Sequence, residues 1–217
     1  MAVEPFPALA VAPDAPLDEL ALALAAEFRP VDVDRAMERL DTLAAEVDPD
    51  AIGPRAELEA VVAVLGGAHG FAGDRASYDA PANSMLDQVL ERRRGLPILL
   101  SVVYVEVGRR AGIPLAGVGL PGHFVCGHVG GAEVLLVDPF NRGRPIRPVD
   151  APAAVVRPWS AHETALRMLN NLVSSFARRG DVARAIRAAE LRLLLPADDA
   201  TIDHNRREAL SLRARLN

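Results

Sequence analysis

The stretch from Pro97 to Ala111, PILLSVVYVEVGRRA, restricts the possible folds of this chain more than any other. Wound as a helix, its apolar residues cover almost the whole circumference, so it is stable only where other elements surround it. Its β-branched residues would also suit a strand. Its length, the proline at its start and the Gly112-Ile113-Pro114 break at its end favour a helix. The expectation is a central buried helix. Gly108 is the natural place for a neighbour to approach closely. Ser101 lies one turn in, where a hydroxyl ordinarily bonds back to the preceding turn.

The segments before it read as amphipathic helices. Residues 1–16 are rich in proline and alanine and are expected to form a flexible arm. Leu17, Leu20, Ala21, Leu24 and Phe28 then fall at helical spacing. Asp32 can cap a second helix that buries Ala36, Met37, Leu40 and Leu43. A third starts near Pro54 and is expected to stop at Gly66-Gly67. Phe71 and Tyr78 are candidate core anchors in the loop that follows. Ser84 with Asp87 approximates a capping box for the next helix. Arg92, Arg93 and Arg94 end it, where cations suit the helix dipole, although a basic triplet could also bind a phosphate or an acidic partner.

After the central helix come three extended segments, Leu115 to Leu120, His123 to Val129 and Ala132 to Asp138. Gly130-Gly131 reads as a two-residue turn, since both positions of a type I′ turn need positive φ. That turn sets Cys126 opposite Leu135 and His123 opposite Asp138. Strand alternation points Cys126 to the other face. A proline-rich connection leads to Ser160 and Glu163, which form an S-x-x-E capping box. The following helix presents Leu166, Leu169, Leu172, Val173 and Phe176, Gly180-Asp181 turns the chain, and two more helices follow. The expected class is therefore α+β: N-terminal helices, a core of buried helix and small antiparallel sheet, and a C-terminal helical lobe. The expected divisions are 1–16, 17–150 and 151–217.

Composition narrows the function. The formal net charge is −5, which disfavours nucleic-acid or anionic-membrane binding, since both need basic surface. The single cysteine, Cys126, rules out an internal disulfide framework. The proline-broken N-terminus lacks the basic region of a signal peptide, and no apolar run reaches the roughly 20 residues of a membrane span. A cytoplasmic location is expected. His69, His128, His162 and His204 have no ligand spacing with a second histidine or cysteine, and His123 with Asp138 offers two ligands without a third. Neither a metal nor a cofactor is expected.

The motifs RGLPILLSVVYVEVGRRAGIP, GVGLPGHF and VLLVDPFNRG resemble the transglutaminase-like superfamily, which has a papain-like core. More narrowly, the chain resembles the bacterial SirB-type group, in which that core precedes tetratricopeptide-like helices; NNLVSSFARRGDVARAIRAAELRLLLP is similar to one such unit. In transglutaminase-like enzymes a cysteine opens the central helix, a histidine starts a following strand, and an aspartate ends the next strand ahead of a proline. The resemblance puts His123 and Asp138 at the histidine and aspartate positions. It puts the cysteine's slot at or beside Pro97, where Leu96, Pro97 and Ile98 carry no nucleophilic atom.

Two readings follow. In the first, the catalytic site is degenerate, His123 and Asp138 are structural, and the chain is a protein-binding or regulatory module. It would use the old substrate groove or the C-terminal helices. In the second, the chain is a hydrolase or acyl- or amide-transfer enzyme that uses His123 and Asp138 with another nucleophile, Ser101 or a water.

Overall fold

The computed structural model describes residues 4–146 and 156–215. The central helix, α6 (Pro97–Arg110), is buried from Pro97 to Gly108 except at Val105. Its surroundings account for that burial. The helices α2 (Leu17–Ala26), α3 (Val33–Ala45), α4 (Pro54–Val62) and α5 (Leu86–Arg92) touch it, as does α7 (Ala161–Arg178). A sheet covers the remaining side. Gly108 meets Leu115 so closely that a Cβ there would lie 2.7 Å from its side chain.

The sheet is antiparallel, in the order β3 (Leu115–Leu120), β4 (His123–His128), β5 (Leu135–Asp138) and β6 (Arg144–Pro145). Pro121-Gly122 joins β3 to β4, with Leu120 opposite His123 and Gly122 at φ +72°. Proline followed by a positive-φ glycine is the pattern of a type II turn. The one parallel pairing among the described residues is between the two-residue strands β1 (Ala72–Gly73) and β2 (Arg94–Gly95), and no strand signal in the sequence announced it. The mixed α+β class stands.

The β4–β5 hairpin differs from expectation. Cys126 pairs with Val137 and His128 with Leu135, two positions from the expected register. The connection is the six-residue loop from Val129 to Val134, and neither Gly130 nor Gly131 has positive φ. These glycines serve close packing instead: a Cβ on Gly130 would stand 2.5 Å from Pro114, and one on Gly131 3.0 Å from Pro54. Because side chains alternate with period two, a shift of two residues leaves every side chain on its expected face.

Other expectations also fail for identifiable reasons. Residues 4–16 are not an exposed arm. A short helix, α1 (Phe6–Leu9), buries Phe6, Leu9 and Ala10 in the main core. Gly66 and Gly67 do not stop α4, because the chain runs on through them as a wide helical turn, Ala63–Ala68. Ser84 caps nothing; it closes the 3-10 turn Pro81–Ser84, and Met85 precedes α5 without a side-chain cap. Phe71 is buried as expected, but Tyr78 is about half exposed and meets Phe140 edge-to-face.

At the C-terminal end Ser160 and Glu163 form both bonds of the capping box of α7. Asp181 caps α8 (Val182–Leu191) after the turn at Gly180, and Asp198 caps α9 (Asp199–Ala214). Leu169, Leu172, Val173, Phe176, Ile186 and Ala189 are buried, while Leu166 is half-buried. α7 packs on α2, and Phe28 meets Phe176 with ring centroids 5.3 Å apart.

Candidate functional site

His123 opens β4 and Asp138 closes β5, and Nε2 of His123 lies 3.0 Å from Oδ2 of Asp138. The turn after Asp138 fixes its carboxylate. Oδ1 accepts the backbone N–H of Phe140 at 2.9 Å and that of Asn141 at 3.3 Å. Oδ2 accepts the amide of the Asn141 side chain at 2.6 Å. Burial works against its charge, but the His123 imidazole and the donors of Asn141 together hold the carboxyl below its ordinary value.

Sequence reasoning missed the residues around this pair. Phe140 sets its ring edge-on to His123 at 6.5 Å. Tyr78 meets the same Phe140 edge-to-face, and the guanidinium of Arg75 sits 5.2 Å above it. Arg75 also donates to Oδ1 of Asn141 at 2.5 Å. One signal for Asn141 was legible, since Asp-Pro-x-Asn favours a turn closed by the aspartate side chain. Nothing local in the sequence pointed from Arg75 to a residue 66 positions away.

The start of α6 is sealed. Leu96, Pro97 and Ile98 are all buried, and none offers a nucleophile. The Ser101 hydroxyl is fully buried and donates to the Pro97 carbonyl at 2.9 Å. Among the described residues no hydrogen bond joins Ser101 to His123. Cys126 faces the core, buried, and burial pushes its thiol well above the ordinary range. The Tyr104 hydroxyl, on α6, has no hydrogen-bond partner among the described residues. Burial raises its pKa, and the nearby Cys126 and Asp138 add to the effect.

The remaining candidates are committed elsewhere. Arg92 bonds Asn83 at 2.9 Å and Asp74 at 2.8 Å, and Arg94 donates to the Gly70 carbonyl at 2.7 Å. Arg93 takes the left-handed position that ends α5. His128 is buried between Glu57, at 2.7 Å, and the Gly130 N–H, at 3.2 Å. His69 bridges Glu46 and Arg39, and His162 reaches the Leu9 carbonyl. Among the described residues no three His, Cys, Asp or Glu side chains gather as a metal site. No helix there is long and apolar enough to cross a membrane.

Comparison with known proteins agrees with the mixed α+β fold. The pattern of the transglutaminase-like superfamily matches residues 34–182, more than half of the chain. A UPF0162 protein of Xylella fastidiosa is 40% identical over 143 residues, covering 58% of this chain and 51% of that protein. The chain thus spans about half the length of that relative. The UPF0162 protein of Pseudomonas aeruginosa is 30% identical over 210 residues, 89% of this chain and 77% of the relative. F-box only protein 21 of mouse is 31% identical over 139 residues, 57% of this chain and 22% of that protein. No solved structure matches the chain. Given the extent of the superfamily match and the likeness to the Pseudomonas protein over 77% of its length, the chain belongs to the transglutaminase-like superfamily as a UPF0162 protein.

Proposed function

We propose that this chain is a non-catalytic, cytoplasmic protein-binding or regulatory module. In this reading it keeps a transglutaminase-like fold around a degenerate site and presents its C-terminal helices, tetratricopeptide-like in the SirB-type manner, to a partner protein. The observation that carries the proposal is the sealed start of α6. A thiol-dependent acyl transfer needs a thiolate aimed at the acyl carbon with an imidazole beside it. Here that helix start is Leu96-Pro97-Ile98, all buried, and the only sulfhydryl is buried in the core. The Asp138 carboxylate, meanwhile, is occupied as a turn cap. The likeness to a segment that makes up 22% of mouse F-box only protein 21 fits a module built into larger proteins.

The test has two parts. Purified protein is incubated with an amine donor and a glutamine-bearing acceptor, and separately with a thiol-directed electrophile. Neither turnover nor labelling of Cys126 in the native state is expected. Turnover lost in Cys126→Ser, or rapid stoichiometric labelling at neutral pH, would sink the proposal. Affinity capture from the native host, with the whole chain and with a version lacking residues 160–217, then asks for a partner that depends on the C-terminal helices.

One observation favours a second reading, a hydrolase or acyl-transfer enzyme with a non-cysteine nucleophile. The His123 side chain is 32% exposed and stands 3.0 Å from Asp138, so it could take a proton from a water. Hydrolysis of an ester or amide substrate that disappears in His123→Gln would support this reading over the module.

A further inference from the structure

The loop that precedes the 3-10 turn Pro81–Ser84 carries Asp74, Arg75 and Asp79, and its two acids are neutralised. Asp74 pairs with Arg92 at 2.8 Å and accepts the Ser77 N–H, and Asp79 pairs with Arg178 at 2.5 Å. Arg75, between them in sequence, has no carboxylate partner among the described residues. It is exposed yet held in place. Its guanidinium sits 5.2 Å from the centre of the Phe140 ring, and one Nη donates to Oδ1 of Asn141. Both holders are neutral, so they fix the direction of the cation without cancelling its charge. The carboxylate beside them, Asp138, is filled: Oδ1 takes two backbone N–H groups, and Oδ2 meets Asn141 and His123. Two more exposed arginines follow, Arg142 directly after Asn141 and Arg144 opposite Asp138 across β5 and β6. Neither forms an ion pair among the described residues. A chain of net charge −5 thus keeps uncompensated positive charge around one turn. Tyr78, 49% exposed, adds an aromatic surface next to it.

We infer that this patch, Arg75 with Arg142 and Arg144 around the Asp138 turn, docks an acidic segment of a partner polypeptide. The inference rests on the reading of the chain as a protein-binding module and adds a contact outside α8 and α9. A guanidinium already held in one direction loses less freedom on meeting a carboxylate, and its planar fork matches that group. One exposed pair contributes little. Three cations spread over a loop, a turn and a strand therefore suit an extended segment with several acids, and Tyr78 and Phe140 offer its apolar side chains a surface. A small dianion such as phosphate is favoured where backbone N–H groups converge. Here the N–H groups of Phe140 and Asn141 are spent on Asp138. A nucleic acid would have to approach a chain that is negative as a whole.

The experiment is a fluorescence-anisotropy titration of the whole chain. The probes are the dye-labelled peptide Gly-Glu-Glu-Phe-Glu-Glu-Gly-amide, its counterpart with Gln at every Glu, and a short dye-labelled oligothymidylate. Saturable binding of the acidic peptide is expected, weakened by added salt. The Gln peptide should bind at least about tenfold more weakly. Arg75→Gln should lower the acidic-peptide affinity about tenfold while the melting temperature stays within about 2 °C, because the side chain is exposed. Arg75→Lys, which keeps the charge and loses the fork, should fall between the two. The double variant Arg142→Gln, Arg144→Gln should weaken binding as well. Arg167→Gln makes the same charge change at an exposed site on α7 and should leave the affinity unchanged. No saturable binding of the acidic peptide, equal binding of the Gln peptide, tighter binding of the oligothymidylate, or an equal loss in Arg167→Gln overturns the inference. Such a failure leaves the partner-capture result standing, whereas thiol-dependent turnover would refute the module reading and leave the peptide titration unchanged.

Discussion

His123 and His128 stand at opposite ends of β4, and each meets a carboxylate brought from elsewhere in the chain. The two pairs look alike on paper and differ in their surroundings. His128 is buried with both ring nitrogens engaged, one on Glu57 and one by the Gly130 N–H. His123 has one nitrogen against Asp138, and the imidazole is 32% exposed beside the edge of Phe140. A histidine–carboxylate pair is therefore not in itself a site. Access, and a second nitrogen that bonds no described residue, separate a group that could exchange protons from one that ties the end of a strand to a helix.

Four measurements would break or sharpen that contrast. The largest effect is expected from His128→Ala, which removes a buried imidazole and strips Glu57 of its partner. It should cost about 3 kcal/mol in denaturant unfolding. A loss below about 1 kcal/mol would mean that His128 is no more structural than an exposed pair.

Asp138→Asn should come next, at about 1–2 kcal/mol near neutral pH, because the carboxylate caps the turn that carries Phe140 and Asn141. Its pH dependence has a definite sign. The folded Asp138 carboxyl lies below its ordinary value, so its stabilisation is present above the usual carboxylate range and is lost as pH falls through the folded pKa. The variant should lose less stability than the parent on acidification. The hydrogen bond from His128 lowers the Glu57 pKa as well, so the second pair adds a contribution of the same sign. A parent and variant with superimposable acid limbs would show that the Asp138 charge is not used.

His123→Ala should fall below about 1 kcal/mol, since the side chain is partly exposed and its partner keeps its backbone donors. A larger cost would move His123 into the structural class. Histidine-directed acylation followed by peptide mass mapping should change stability least of all. The exposed His204 and the partly exposed His123 should be modified well before His128. Early modification of His128 would refute its burial.

Much of this arrangement could be read locally. The caps by Asp32 and Ser160 act within three residues of themselves, so sequence spacing suffices to find them. The nearly all-apolar circumference of α6 implies burial. The approach of His123 to Asp138 was also legible, although the turn that suggested it does not exist. Strand periodicity survives a register shift of two residues, and so the right faces emerged from the wrong loop.

The sequence by itself determined much of what nearest neighbours enforce: the longer helices, the caps at Asp32 and Ser160, the order of the three main strands and the faces on which their side chains lie. It also determined the chemistry missing at Pro97, because a residue type cannot be altered by folding. Only the tertiary structure decided the contacts made across long separations. Glycines 130 and 131 are needed for packing on Pro114 and Pro54, which no turn propensity encodes. Phe6 and Leu9 find a core that their proline-rich context hides. Arg75, Asn141 and Phe140 gather around Asp138 because two distant loops meet there. The physical reason is the range of the forces. Backbone preferences and capping bonds act within a turn of the chain, whereas burial and charge pairing depend on which surfaces the whole fold brings together.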